Sequence, residues 1–119
     1  MFLFRRGVDR VSPAQARRST IDGDAVLLDV REQVEWNAGH APGAIHIPLS
    51  RLVTGAALPS AAEDRPLVVI CRSGNRSRQA TELLAGRGAG AVDVKGGMNA
   101  WAAAGLPVVD ERGKSGRIA

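Results

Sequence analysis

Two uninterrupted apolar runs, "AVLLDV" at 25–30 and "PLVVI" at 66–70, alternate along the chain with helix-like segments and predict an α/β fold. Strand-length runs without a polar face belong to strands covered on both sides. Strands separated by helices pair in parallel. The expected architecture is a doubly wound, mainly parallel five-stranded sheet with helices on both faces. At 119 residues the chain is one domain, large enough to bury a core without metal or disulfide support.

Each element has a local reason. Residues 1–7 read as a loose N-terminal arm, and "GVDRVS" at 7–12 as a short edge strand. Ser12 before Pro13 is a helix start, a capping hydroxyl followed by proline in the first turn, and the helix runs through "PAQARRST". Asp22, Gly23 and Asp24 form a turn into the first apolar strand. Residues 31–38 read as a short helix ended at Gly39, and "GAIHIP" as a short strand stopped by Pro48, whose missing N–H cannot extend a ladder. Ser50 opens a helix toward Leu58. "PLVVI" then runs into Cys71, and residues 77–87 carry Ala80, Leu83 and Leu84 at helical spacing, closed by Gly88. "AVDV" at 91–94 is a further strand, and "KGGMNAWAAAGLP" a glycine turn with a short helix. Residues 8–109 thus make the domain, and 110–119 a polar tail expected to be mobile.

Composition narrows the function. The formal charge is +4 and the sequence pI about 10.5, but the 14 arginines and 2 lysines are scattered from Arg5 to Arg117. Aromatics are only 3%, too few for base-stacking platforms, so no nucleic-acid partner is expected. "MFLFRR" lacks the order and length of a signal peptide, and no run approaches the span of a bilayer. A single cysteine cannot form an internal disulfide and fits a reducing compartment. The expected location is the cytoplasm, with no membrane partner.

The informative stretch is "VVICRSGNRSRQ", where an apolar strand stops at the only cysteine in the chain. In parallel α/β sheets, ligands sit beyond the carboxyl ends of the strands, and Cys71 falls at one of those ends. Three features favour a thiolate, the nucleophilic form of the side chain. The loop feeds a helix N-terminus, whose free amides carry partial positive charge. Gly74 lets successive amides curl into an anion nest. Arg72, Arg76 and Arg78 add fixed positive charge, of which Arg78 is better read as a solvated helix residue. Ser73 and Ser77 offer hydroxyl donors, and Asn75 completes the turn. In cysteine phosphatases an arginine stands six residues after the cysteine; here that residue is Ser77, with Arg76 one step early. The shorter loop suits a single terminal sulfur better than a tetrahedral oxyanion.

On these residues the chain resembles the rhodanese (thiosulfate sulfurtransferase) family in its single-domain form. "LLDVRE" with "EWNAGHAPGAIHIP" resembles that family's first signature, "VVICRSGNRS" its active-site loop and "VKGGMNAWAAAGLPV" its closing signature. The resemblance implies a sulfurtransferase in which Cys71 takes the outer sulfur of a small anionic donor, thiosulfate or a persulfide. It holds that sulfur as a persulfide and passes it to a thiol or cyanide acceptor, without a cofactor. The six-residue loop Cys71, Arg72, Ser73, Gly74, Asn75, Arg76 matches the length associated with sulfur transfer, and phosphatase or arsenate reductase chemistry is disfavoured. The alternative is a carrier module that receives its sulfur from a sulfur-relay protein.

Other residues are assigned to structure. Asp29 and Arg31, at the end of "AVLLD", are expected to form an ion pair that fixes the site, with substrate binding as the rival role. His40 and His46 lack metal-ligand spacing with any cysteine or carboxylate pair, so no metal is expected. Glu35 and Trp36 are expected to cap and pack the short helix, Trp101 to anchor the core beneath the loop, and Gly96 and Gly97 to let the next turn approach it.

Overall fold

The computed structural model describes residues 10–119. The expected arm, and residues 7–9 of the expected edge strand, lie outside them. Five strands form one sheet in the order β1-β5-β4-β2-β3. They are β1 (Arg10–Val11), β2 (Val26–Asp29), β3 (Ile45–His46), β4 (Leu67–Ile70) and β5 (Ala91–Val94), and all four pairings are parallel. The helices are α1 (Pro13–Ile21), α2 (Gln33–Ala38), α3 (Leu49–Val53), α4 (Asn75–Gly86) and α5 (Gly97–Ala103), with a 3-10 turn at Ser60–Ala62.

Successive strand residues point to opposite faces, which explains the unbroken apolar runs. Leu27, Val68, Ile70, Val92 and Val94 pack with Ala16 of α1 and with Met98 and Trp101 of α5. Leu28, Leu67 and Val69 pack on the other face with Leu49 and Leu52 of α3 and with Ala80 and Leu84 of α4. The doubly wound sheet is therefore built as expected. After β2 the chain steps outward to β3, and after β4 it steps the other way to β5, so the direction reverses between β2 and β4. That crevice is where doubly wound sheets bind ligands, and Cys71 directly follows β4.

Local rules place most boundaries. At α1, the Gln15 amide donates to Ser12 Oγ (3.1 Å) and the Ser12 amide to Gln15 Oε1 (2.9 Å), a reciprocal cap ahead of Pro13. Three segments differ from expectation. The helix expected at 31–38 begins at Gln33, because Arg31 is drawn back onto Asp29. The helix expected from Ser50 toward Leu58 stops at Val53, where Gly55 turns the chain at φ +90. The helix expected from Ser77 starts at Asn75, because Gly74 at φ +108 supplies the left-handed cap.

The polar segment 110–119 makes contacts that its composition does not announce. The Arg117 amide donates to the Ala38 carbonyl (2.9 Å), Gly116 to Val108 (2.9 Å) and Glu111 to Asn37 (3.2 Å). Ile118 packs against the α1/α5 core. Gly39 is small for this reason: a side chain there would meet the backbone of Arg117.

Candidate active site

Cys71 is 1% exposed, at the base of the loop between β4 and α4. Met98 and Asn99, in the first turn of α5, donate to the carbonyls of Cys71 (2.7 Å) and Arg72 (2.9 Å). The loop is thus held from outside by the helix that Trp101 anchors. Trp101 is buried and donates its indole N–H to the Pro107 carbonyl (2.8 Å). Gly97, at φ +58, is needed at this junction, since a Cβ would strike the Cys71 carbonyl oxygen and lie 2.7 Å from the Arg72 carbonyl carbon.

The surroundings of the sulfur are more specific than the expected nest. Among the described residues, the backbone donor that reaches Sγ is the Gly74 amide, at 3.0 Å. Ser77 Oγ lies 3.4 Å from the sulfur, but its proton is directed to Asp93 Oδ2 at 3.1 Å. A hydroxyl has one proton to give, so in this arrangement Ser77 accepts from the thiol. Asp93 is buried and clamped by Arg10, through Nε to Oδ1 (3.2 Å) and Nη2 to Oδ2 (3.0 Å). Arg10 Nη2 also donates to the Gly74 carbonyl (3.2 Å), tying the edge strand to the loop. Arg72, Ser73 and Asn75 are exposed at the rim. Ser73 therefore stands apart from the sulfur it was expected to serve.

Arg76 has a partner that sequence reasoning did not supply. Its Nη1 donates to Glu35 Oε1 (2.5 Å) and its Nη2 to Glu35 Oε2 (2.7 Å), joining the loop to α2. This bond holds the Glu35 carboxyl below its ordinary range and raises the Arg76 guanidinium further, against the opposing effect of partial burial. Glu35 also caps α2 as expected, accepting from the Glu32 amide at 3.0 Å.

Asp29 and Arg31 form a fully buried pair, with Nη2 to Oδ2 at 2.7 Å and a second Arg31 bond to the Gly39 carbonyl at 2.7 Å. One Arg31 nitrogen, Nη1, has no partner among the described residues. The pair fixes the end of β2 beside the β4 end. Trp36 is stacked between His40 (3.5 Å between ring centroids) and His46 (4.8 Å), and each imidazole bonds a backbone carbonyl, of Trp36 and Arg31 respectively. Arg78 is exposed on α4.

Among the described residues no group of three or more His, Cys, Asp or Glu could hold a metal ion, and no helix is long and apolar enough to cross a membrane. A groove of about 640 Å³ lies at the amino end of β4, between Leu58, Pro66, Leu84 and Arg87. It is at the opposite end of the sheet from Cys71.

Of the residues missed, Asp93 carried a signal: it is the one charge in an apolar strand, and a buried carboxylate needs a partner. Arg10 and Glu35 carried none, since their partners are 83 and 41 positions away.

A parallel sheet with a lone cysteine in a tight loop at its switch point defines the class, an α/β domain built around a single thiol. The chain belongs to the rhodanese-like domain family, whose model matches residues 12–104. It is 36% identical over 104 residues to a protein named sulfurtransferase from Allochromatium vinosum, covering 86% of this chain and 94% of that one. It is 37% identical over 100 residues to an uncharacterised Synechocystis protein, covering 83% of this chain but only 55% of that longer one. A solved rhodanese-related protein from Thermoplasma volcanium superposes with a TM-score of 0.77 at 35% identity, covering 87% of this chain and 99% of that one.

Proposed function

We propose that the protein is a sulfurtransferase that moves a sulfane sulfur from thiosulfate or a persulfide donor to a thiol or cyanide acceptor through a persulfide on Cys71. The observation that carries this reading is the Gly74 amide aimed at Cys71 Sγ (3.0 Å) inside a six-residue loop at the sheet's switch point. A preorganised amide stabilises charge on sulfur without moving during the reaction. With thiosulfate, the Cys71 thiolate attacks the outer sulfur, an S–S bond forms on Cys71, and the donor's S–S bond breaks with its electron pair leaving on sulfite. The acceptor then attacks the outer sulfur of the persulfide and restores the thiolate. No oxidant, reductant or cofactor enters either step.

Phosphoryl chemistry fits poorly. The position where a phosphatase needs its arginine is Ser77, hydrogen-bonded to the buried Asp93 carboxylate, which would repel a phosphate. The carrier role is favoured by a different observation, the near-complete burial of Cys71, which suits a sulfur held between partners better than fast exchange with solution.

The test is direct. After incubation with thiosulfate, intact-mass measurement should show a gain of one sulfur atom, and cyanide should then release thiocyanate. Cys71→Ser should fold and gain nothing. Loading without turnover selects the carrier. A protein that neither loads nor yields thiocyanate, yet hydrolyses an aryl phosphate, would not be a sulfurtransferase.

A further inference from the structure

Arg76 and the exposed Arg72 are the two cations of the Cys71 loop, and both terminal nitrogens of Arg76 are engaged by both oxygens of Glu35. The contact is partly shielded from solvent: the Glu35 side chain is 16% exposed and that of Arg76 34%. Arg76 stands five residues after Cys71, in the first turn of α4, two positions beyond the Gly74 amide that donates to the sulfur. Bidentate guanidinium–carboxylate contacts are strong and geometrically exclusive. An incoming anion must share Arg76 with Glu35 or displace it, and it meets a negative charge in either case.

We propose that Glu35 is the specificity-determining residue for the charge of the sulfur donor: by occupying Arg76 it disfavours small dianions such as thiosulfate and favours sulfur borne on a thiol. This rests on the sulfurtransferase reading and names the donor class for it. A thiol persulfide, R–S–SH, carries at most one negative charge and needs no guanidinium fork. In its step, the Cys71 thiolate attacks the terminal sulfur, a Cys71 S–S bond forms, and the donor's S–S bond breaks with its electron pair leaving on R–S⁻. The terminal proton stays on the transferred sulfur, so atoms and charge balance without a co-reactant.

Inorganic sulfate, a dianion inert toward thiols, is the probe. The rate of Cys71 alkylation by iodoacetamide is followed against sulfate concentration at constant ionic strength. Glu35→Gln keeps a side-chain oxygen for the Glu32 amide that caps α2, so the helix is retained while Arg76 is released. The variant should be half-protected at about tenfold less sulfate than the unmodified protein, the scale of one charge-assisted hydrogen bond. The double variant Glu35→Gln/Arg76→Gln removes both charges together and should return to the unmodified behaviour.

Equal protection of Glu35→Gln and the unmodified protein overturns the proposal, as does a gain that survives in the double variant. Near-UV circular dichroism from Trp36 and Trp101 reports the fold. If Glu35→Gln loses that signal, the double variant decides: protection well below that of the unmodified protein would mean Arg76 was already available to anions. Sulfate protection requires no sulfur transfer, so this result stands apart from whether Cys71 loads sulfur at all.

Discussion

Glu35 serves two contacts, the capping of α2 and the clamping of Arg76, and the second requires its ionised form. Its folded pKa is depressed from the ordinary 4.5, chiefly by the Arg76 hydrogen bond. The stabilisation is therefore fully present above pH 4.5 and is lost as pH falls through the folded value. Partial exposure limits it to about 1 kcal/mol or less. In urea titrations the stability difference between the unmodified protein and Glu35→Gln should be constant at neutral pH and shrink below pH 4.5; a difference independent of pH would show that ionisation of Glu35 contributes nothing. At the residue scale the sequence was uneven in what it disclosed. The approach of Gly74 to Cys71 could be read because it lies within one loop, whereas Ser77, expected to donate to the sulfur, gives its proton to Asp93 on another strand. The Asp29–Arg31 pair could be read for the same reason, its members being two positions apart. Asp93–Arg10 and Glu35–Arg76 join separate elements, and nothing local says which cation meets which carboxylate.

Among the elements, the junction of β4, the loop, α4 and α5 is the most constrained. Gly74 turns its amide onto the sulfur and starts α4 in one left-handed step, which is why that helix begins two residues before the expected Ser77. Gly97 brings the first turn of α5 against the loop carbonyls. Gly97→Ala would press a methyl into the backbone of Cys71 and Arg72, atoms that cannot swing aside, at φ +58. It should cost about 2–4 kcal/mol in urea unfolding and change the rate at which iodoacetamide labels Cys71. Gly43→Ala is the control: φ is also positive (+80) but the space is open, and the cost should be about 1 kcal/mol with no change in labelling. Equal costs at the two positions would mean that the close approach at Gly97 is not what requires glycine. The strands themselves were legible because double-sided burial writes itself as an unbroken apolar run. The start of α1 and the end of α2 were legible too, while the starts of α2 and α4 and the end of α3 were not, because each is decided by one residue's backbone conformation or by a side-chain contact.

Over the whole molecule, the segment 110–119 makes backbone hydrogen bonds to the end of α2 and packs Ile118 on the core. Its polar composition gave no hint of these contacts, since the hydrogen bonds to Asn37 and Ala38 use backbone atoms and Ile118 is the side chain that packs on the core. A variant ending at Asp110 should lose about 1–2 kcal/mol, from one buried aliphatic side chain and a few hydrogen bonds less the entropy regained. Its Tm should fall by about 5–10 °C; an unchanged Tm would mean the segment adds nothing to the fold. One edge of the sheet is β3, two residues long and bracketed by Pro42 and Pro48. A foreign chain aligning there finds almost no ladder to extend, and the flanking imino acids offer it no hydrogen at all. Crowded solutions of this protein should consequently resist fibre growth from that border.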